Sequence, residues 1–216
     1  MKNEEIKEII IAIAVLGFIS GFVELVRGDI KILAITLVFG AIIIGANILS
    51  KKIMASRLDA DVEHEIWKMN RYGLKPGDRV NKSIWAGVII PLFVTIVTLG
   101  SINLMTILTY ETRALKRRAA KRFGPYSFTE MTDYHNALVG AAGIISALLI
   151  TFITYWLPGN YWMIIARMAT SYAFFNMIPF SKLDGSQIYF GSRVLWSVLA
   201  TITLIFMIYS YFILLV

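Results

Sequence analysis

Five apolar stretches, at residues 6–26, 30–49, 137–157, 161–178 and 194–216, dominate the 216-residue chain. Each reaches or approaches the ~20 residues that carry a helix across a hydrocarbon core. Long uninterrupted apolar runs restrict the fold to an all-α polytopic membrane bundle, because only segments that satisfy their own backbone hydrogen bonds can stand in lipid. Composition agrees, with 57% hydrophobic and 16% charged residues, against about 25% charged in soluble domains. The chain has no cysteine, which excludes disulfides, thiolate nucleophiles, iron–sulfur clusters and Cys-based zinc sites. His64 and His135 are the only imidazoles. The net charge of +7 is assigned to basic loops against an anionic cytoplasmic leaflet, not to nucleic acid.

Residues 84–110 form a sixth, less regular stretch, with Pro91 in its first half and Gly100, Ser101 and Asn103 near its middle. Lysine and arginine placement bears on its path. If the stretch crosses fully, each side of the membrane collects 10 basic residues; if it dips in and returns near Gly100, the division is 18 to 2. The positive-inside rule favours the second arrangement. The expectation is a multi-pass cell-membrane protein with a cytoplasmic N-terminus, five full spans and a re-entrant hairpin; six full spans are the alternative. The first stretch lacks a small-residue cleavage site after Glu24-Leu-Val-Arg27 and is read as a retained span. Arg167, inside the fourth span, either snorkels to the outer interface or pairs with a buried acid.

A single integral domain, 1–216, is then divided into a cytoplasmic loop at 51–83, the hairpin or extra span at 84–110, a basic loop at 111–134 and core spans at 135–216. In the first loop, Asp61-Val-Glu-His-Glu-Ile-Trp67 alternates as a short strand does, and the turn-rich Gly73-Leu-Lys-Pro-Gly-Asp78 follows. In the second, residues 112–122 read as a cationic helix on the membrane surface, and Ser127-Phe-Thr-Glu130 as a capping box.

The most unusual polar group ends the fourth span: Asn176-Met-Ile-Pro179-Phe-Ser-Lys-Leu183-Asp184-Gly185. Proline frees a helix carbonyl and Asp-Gly breaks the chain locally, holding one carboxylate at the membrane edge. This segment resembles the second motif of the site-2 protease family, the intramembrane zinc metalloproteases (peptidase M50). The likeness extends through Ala173-Phe-Phe-Asn176, Ser186-Gln-Ile-Tyr-Phe-Gly191 and the upstream Val139-Gly-Ala-Ala-Gly143-Ile-Ile-Ser. The resemblance implies a helix bundle whose active site lies near the cytoplasmic face. In that family His-Glu-x-x-His on the second span and the Asp of Leu-Asp-Gly hold zinc, and the Glu serves as general base. Lys51-Lys-Ile-Met-Ala55 fits the family's continuation of the first motif and places its catalytic positions at Asn47, Ile48 and Lys51.

These three side chains supply neither ligands nor a base, so only Asp184 matches the implied metal set. Ile144 and Ala147 also replace the Pro and Asn of the family's glycine segment. Lys51 and Asp184 occupy positions that both face the metal, so an ion pair between them is expected as a strut between the second and fourth spans. His64-Glu65-Ile-Trp-Lys68 ends in Lys where the zinc motif needs His, and a displaced site requires His64, His135, Asp133 and Asp184 to converge. Otherwise His64 is a half-exposed strand residue and His135 a helix-start residue.

The leading expectation is a non-catalytic site-2 protease-like protein without cofactor. It would bind membrane-protein segments in a groove between Asn47–Lys51, the hairpin and the Asn176–Gly185 break, where Gly143 also lies. An active protease with displaced ligands and zinc is the alternative. A small transporter or channel is a third class, for which no inverted repeat is found.

Overall fold

A computed structural model describes residues 3–71, 79–115 and 131–213. Four helices in it are long and apolar enough to cross a membrane: α1 (Asn3–Val26), α2 (Ile30–Arg57), α4 (Asp133–Tyr155) and α7 (Arg193–Ile208), the last continuing as a π-helical turn, Tyr209–Ile213. Between them lie strands β1 (Ala60–Ile66), β2 (Met69–Arg71) and β3 (Arg79–Ile84), helix α3 (Ala86–Val97) and strand β4 (Leu108–Ala114). Helices α5 (Asn160–Asn176) and α6 (Asp184–Gly191) stand between α4 and α7.

Helix α2 starts where Asp29 accepts hydrogen bonds from the Lys31 and Ile32 amides, a side-chain cap for otherwise orphaned N–H groups. It runs to Arg57, eight residues beyond the apolar run that ends at Leu49. Hydropathy falls where the charges begin, but the helix does not stop there, because Lys51 is itself buried against other helices. Helices α1 and α2 pack through small residues, with the Thr36 hydroxyl donating to the Gly17 carbonyl at 2.9 Å. Helix α5 has only 17 residues and carries Arg167, Thr170, Ser171 and Asn176. Most of its side chains face neighbouring helices, so it need not be apolar on every face.

The alternating segment after α2 forms strand β1, paired antiparallel with β4 in the register His64↔Tyr110 and Val62↔Thr112. The expected surface helix beginning at Thr112 is therefore corrected: Thr112, Arg113 and Ala114 belong to β4. Pairing with Ala60–Val62 outweighs the helical preference of alanine and basic residues there. Residues 116–122, the Gly73–Asp78 turn and the Ser127–Glu130 capping box lie outside the described residues. The cap described for α4 is Thr132, which accepts from the His135 amide.

Residues 85–107 make an excursion whose two ends meet at one residue. The Gly87 amide donates to the Trp67 carbonyl at 2.9 Å, and the Trp67 amide donates to the Ile107 carbonyl at 2.8 Å. The chain goes out as α3, turns at Leu99 and Gly100, both at positive φ, and returns without regular structure into β4. One apolar core, including Leu16, Ile43, Ile144, Ile165 and Ile188, joins α1, α2, α4, α5 and α6.

Candidate functional site

Spacing of four along α2 puts Asn47 and Lys51 on one face. Opposite them, the chain leaves α5 at Asn176, passes Pro179, and restarts as α6 with Asp184 as its first residue. The break is held by hydrogen bonds from the Ser186 hydroxyl to the Ser181 carbonyl (2.6 Å) and Leu183 carbonyl (2.9 Å). It also needs Gly185, since a Cβ there would overlap the carbonyls of Met177 and Ile178. Asn176 ties the break to the returning chain by donating to the Met105 carbonyl at 3.0 Å.

The expected ion pair is present: Lys51 Nζ lies 2.6 Å from Asp184 Oδ2, and each side chain is 1% exposed. The Lys51 ammonium also stands 4.5 Å above the Tyr110 ring, a cation–π contact. Tyr110 donates its hydroxyl proton to the Asn136 carbonyl at 2.8 Å. Gly143 lets this cluster close, because a Cβ there would stand 2.5 Å from Lys51 Cε and 2.6 Å from Asn47 Nδ2. Ile48 is buried and offers no proton acceptor. With an ammonium bonded to the carboxylate, these residues do not fit a zinc ion, and their side chains supply no hydrolytic step.

His64 corrects the expectation of a half-exposed residue: it is 2% exposed on β1. Its backbone amide donates to Glu5 Oε1 at 3.3 Å and its Nδ1 lies 3.5 Å from the same oxygen. Burial, then the charges of Lys51 and Lys52, push its pKa down to about 2, so the ring is neutral. His135 and Asp133 lie in the first turn of α4, with the His135 ring against the Thr132 hydroxyl. Among the described residues, no three His, Asp or Glu side chains converge as metal ligands would. Arg167 lines a cavity of about 220 Å³ together with Glu24, Asn103 and Tyr211.

No open groove reaches the expected Asn47–Lys51 face among the described residues. Asn47 and Lys51 are buried, and a cavity of about 370 Å³ opens instead beside β4, lined by Glu111 and Thr112, by Asn136 of α4, and by Lys182, Gln187 and Phe190 around the break. Lys182 and Glu111 form a 2.9 Å ion pair across it. Their hydrogen bond raises the Lys182 pKa and lowers that of Glu111.

The sheet has two unlike edges. The Val62 amide donates to the Asp61 side chain, that of His64 to Glu5, and that of Ile66 to Glu8 at 2.7 Å, so all three point away from β4. By antiparallel alternation their partners Thr112, Tyr110 and Leu108 turn their own backbone groups away from β1, and Thr112 and Tyr110 line the cavity. No family model, characterised protein or solved structure matches the chain.

Proposed function

We propose that this chain is a non-catalytic membrane protein of the site-2 protease type, which holds extended segments of other membrane proteins along the edge of β4 that faces away from β1. The observation that carries the reading is the Lys51–Asp184 pair, a salt bridge at two positions that the resemblance assigns to the metal. Beside it, β4 offers backbone donors and acceptors to a polar cavity, the arrangement by which sheet edges take up peptides. An extended segment near a membrane bundle needs such partners, since its backbone is otherwise unsatisfied.

In this reading α1, α2, α4, α5 and α7 are the five spans, the N-terminus is cytoplasmic, and residues 85–107 re-enter the membrane from that side. The return of both ends of the excursion to Trp67 supports re-entry over a full crossing. The division of basic residues supports the orientation.

Zinc content tests the frame. The purified wild-type protein is expected to carry none by elemental analysis, and stoichiometric zinc overturns the non-catalytic reading. The triple variant Asn47→His, Ile48→Glu, Lys51→His is expected to bind about one zinc per chain, lost when Asp184→Asn is added. A folded triple variant without zinc removes the site-2 protease assignment.

A further inference from the structure

The edge of β4 that faces away from β1 carries a side-chain partner in this structure. Gln187 Nε2 donates to the Tyr110 carbonyl at 3.1 Å, the acceptor that a docking strand would use. The Gln187 Oε1 accepts from Asn136 Nδ2 at 2.7 Å, and Asn136 Oδ1 accepts from the Thr112 hydroxyl at 3.1 Å. A chain of side-chain hydrogen bonds thus begins at the Tyr110 carbonyl and ends at the Thr112 hydroxyl, both on β4. A second bond, from Gln187 Nε2 to the Lys182 carbonyl at 3.2 Å, anchors the same amide to the break.

A carboxamide side chain carries the donor and acceptor of a peptide group on a flexible stem. Gln187 therefore stands where one peptide group of an added strand would stand. Its surroundings suit a group that must move: Gln187 is only partly buried and the cavity lies against it. The opposite edge differs, because there the β1 amides are held by carboxylates of α1. Charged acceptors make stronger hydrogen bonds than neutral ones.

We infer that Gln187, positioned by Asn136, is an autoinhibitory latch on the β4 edge, which an incoming extended segment displaces by exchanging like hydrogen bonds. This rests on the groove assignment above. The latch keeps the edge satisfied when no segment is present and so guards it against indiscriminate strand pairing. At the Tyr110 carbonyl one amide donor replaces another, so that bond adds little net energy and selectivity falls to how well the rest of the segment fits the groove.

The test uses the full chain in lipid nanodiscs and one probe: a fluorescent synthetic peptide with a Leu/Ala span of about 20 residues followed by Gly-Val-Thr-Val-Thr-Gly. Two variants are compared with wild type. Thr112→Pro removes an amide from the β4 edge while sparing the ladder to β1, and is expected to abolish binding. Gln187→Ala frees the Tyr110 carbonyl and is expected to tighten binding about three- to tenfold. Probe binding that is lost in Thr112→Pro yet unchanged or weaker in Gln187→Ala overturns the latch and leaves the groove standing. Binding seen only in Gln187→Ala supports both. No binding in either wild type or Gln187→Ala overturns the groove assignment, and the latch with it. Binding that survives Thr112→Pro does the same.

Discussion

Helix α6 has one end turned into a dry cluster and one face turned to an open cavity. Asp184 points inward to Lys51, with both side chains buried; Gln187, one turn on, reaches outward to β4. The inner contacts are an ion pair and a cation–π contact, sealed by a glycine that leaves no spare volume. The outer ones are neutral amide bonds and an ion pair between Lys182 and Glu111 that solvent reaches. The contrast separates two tasks that share eight residues of helix. The inner contacts tie α6 to α2, and the outer ones tie it to β4 and α4 beside the cavity.

Three measurements probe that contrast. The largest effect is expected at the centre, where Lys51→Ala leaves the Asp184 carboxylate without its counter-charge. Loss of about 3–5 kcal/mol is expected, read as a fall in melting temperature in detergent. The double variant Lys51→Leu, Asp184→Leu should recover most of it; a single variant as stable as wild type refutes the strut assignment.

Next comes His64, which packs beside the same cluster. Its folded pKa of about 2 lies below the ordinary 6.5, so the unfolded chain binds the extra proton between these values. Stability is therefore full above pH 6.5 and falls as pH drops through that window, by up to about 1.4 kcal/mol per pH unit. Denaturant midpoints measured from about pH 7 to about pH 5 should show this slope, and His64→Phe should flatten it. An unchanged slope removes His64 as its source.

The smallest effect belongs to the groove. Lys182→Ala takes away an ion pair whose partners are 65% and 45% exposed, and is expected to cost less than about 1 kcal/mol. A cost approaching that of Lys51→Ala erases the distinction between centre and groove.

The membrane helices were legible because an apolar run of ~20 residues has few other uses. Strand β1 was legible from its alternation, and the Lys51–Asp184 contact from the site-2 protease resemblance, which implies that both positions face one point. The end of α2 was not, because hydropathy marks where lipid contact stops, not where the helix does. Nor was the groove. Thr112, Asn136 and Gln187 are ordinary polar residues on three different elements, and only the folded chain brings their side chains together. Gln187 lay within the stretch that follows Leu-Asp-Gly, yet nothing in its type or spacing set it apart. The burial of His64 was likewise hidden, since it depends on α1 lying across a strand some 60 residues later in sequence.

The meeting of both ends of the 85–107 excursion at Trp67 has a consequence for biogenesis. Strand β1 leaves the ribosome early, but its partner β4 follows only after roughly 40 more residues, and closing so long a loop carries an entropic cost of its own. Among the described residues the β1 backbone has partners besides β4: Glu5 and Glu8 of α1, and its own Asp61. Glu5 and Glu8, synthesised first, accept from β1 amides that the ladder to β4 does not use, so the contacts with α1 and those with β4 do not compete.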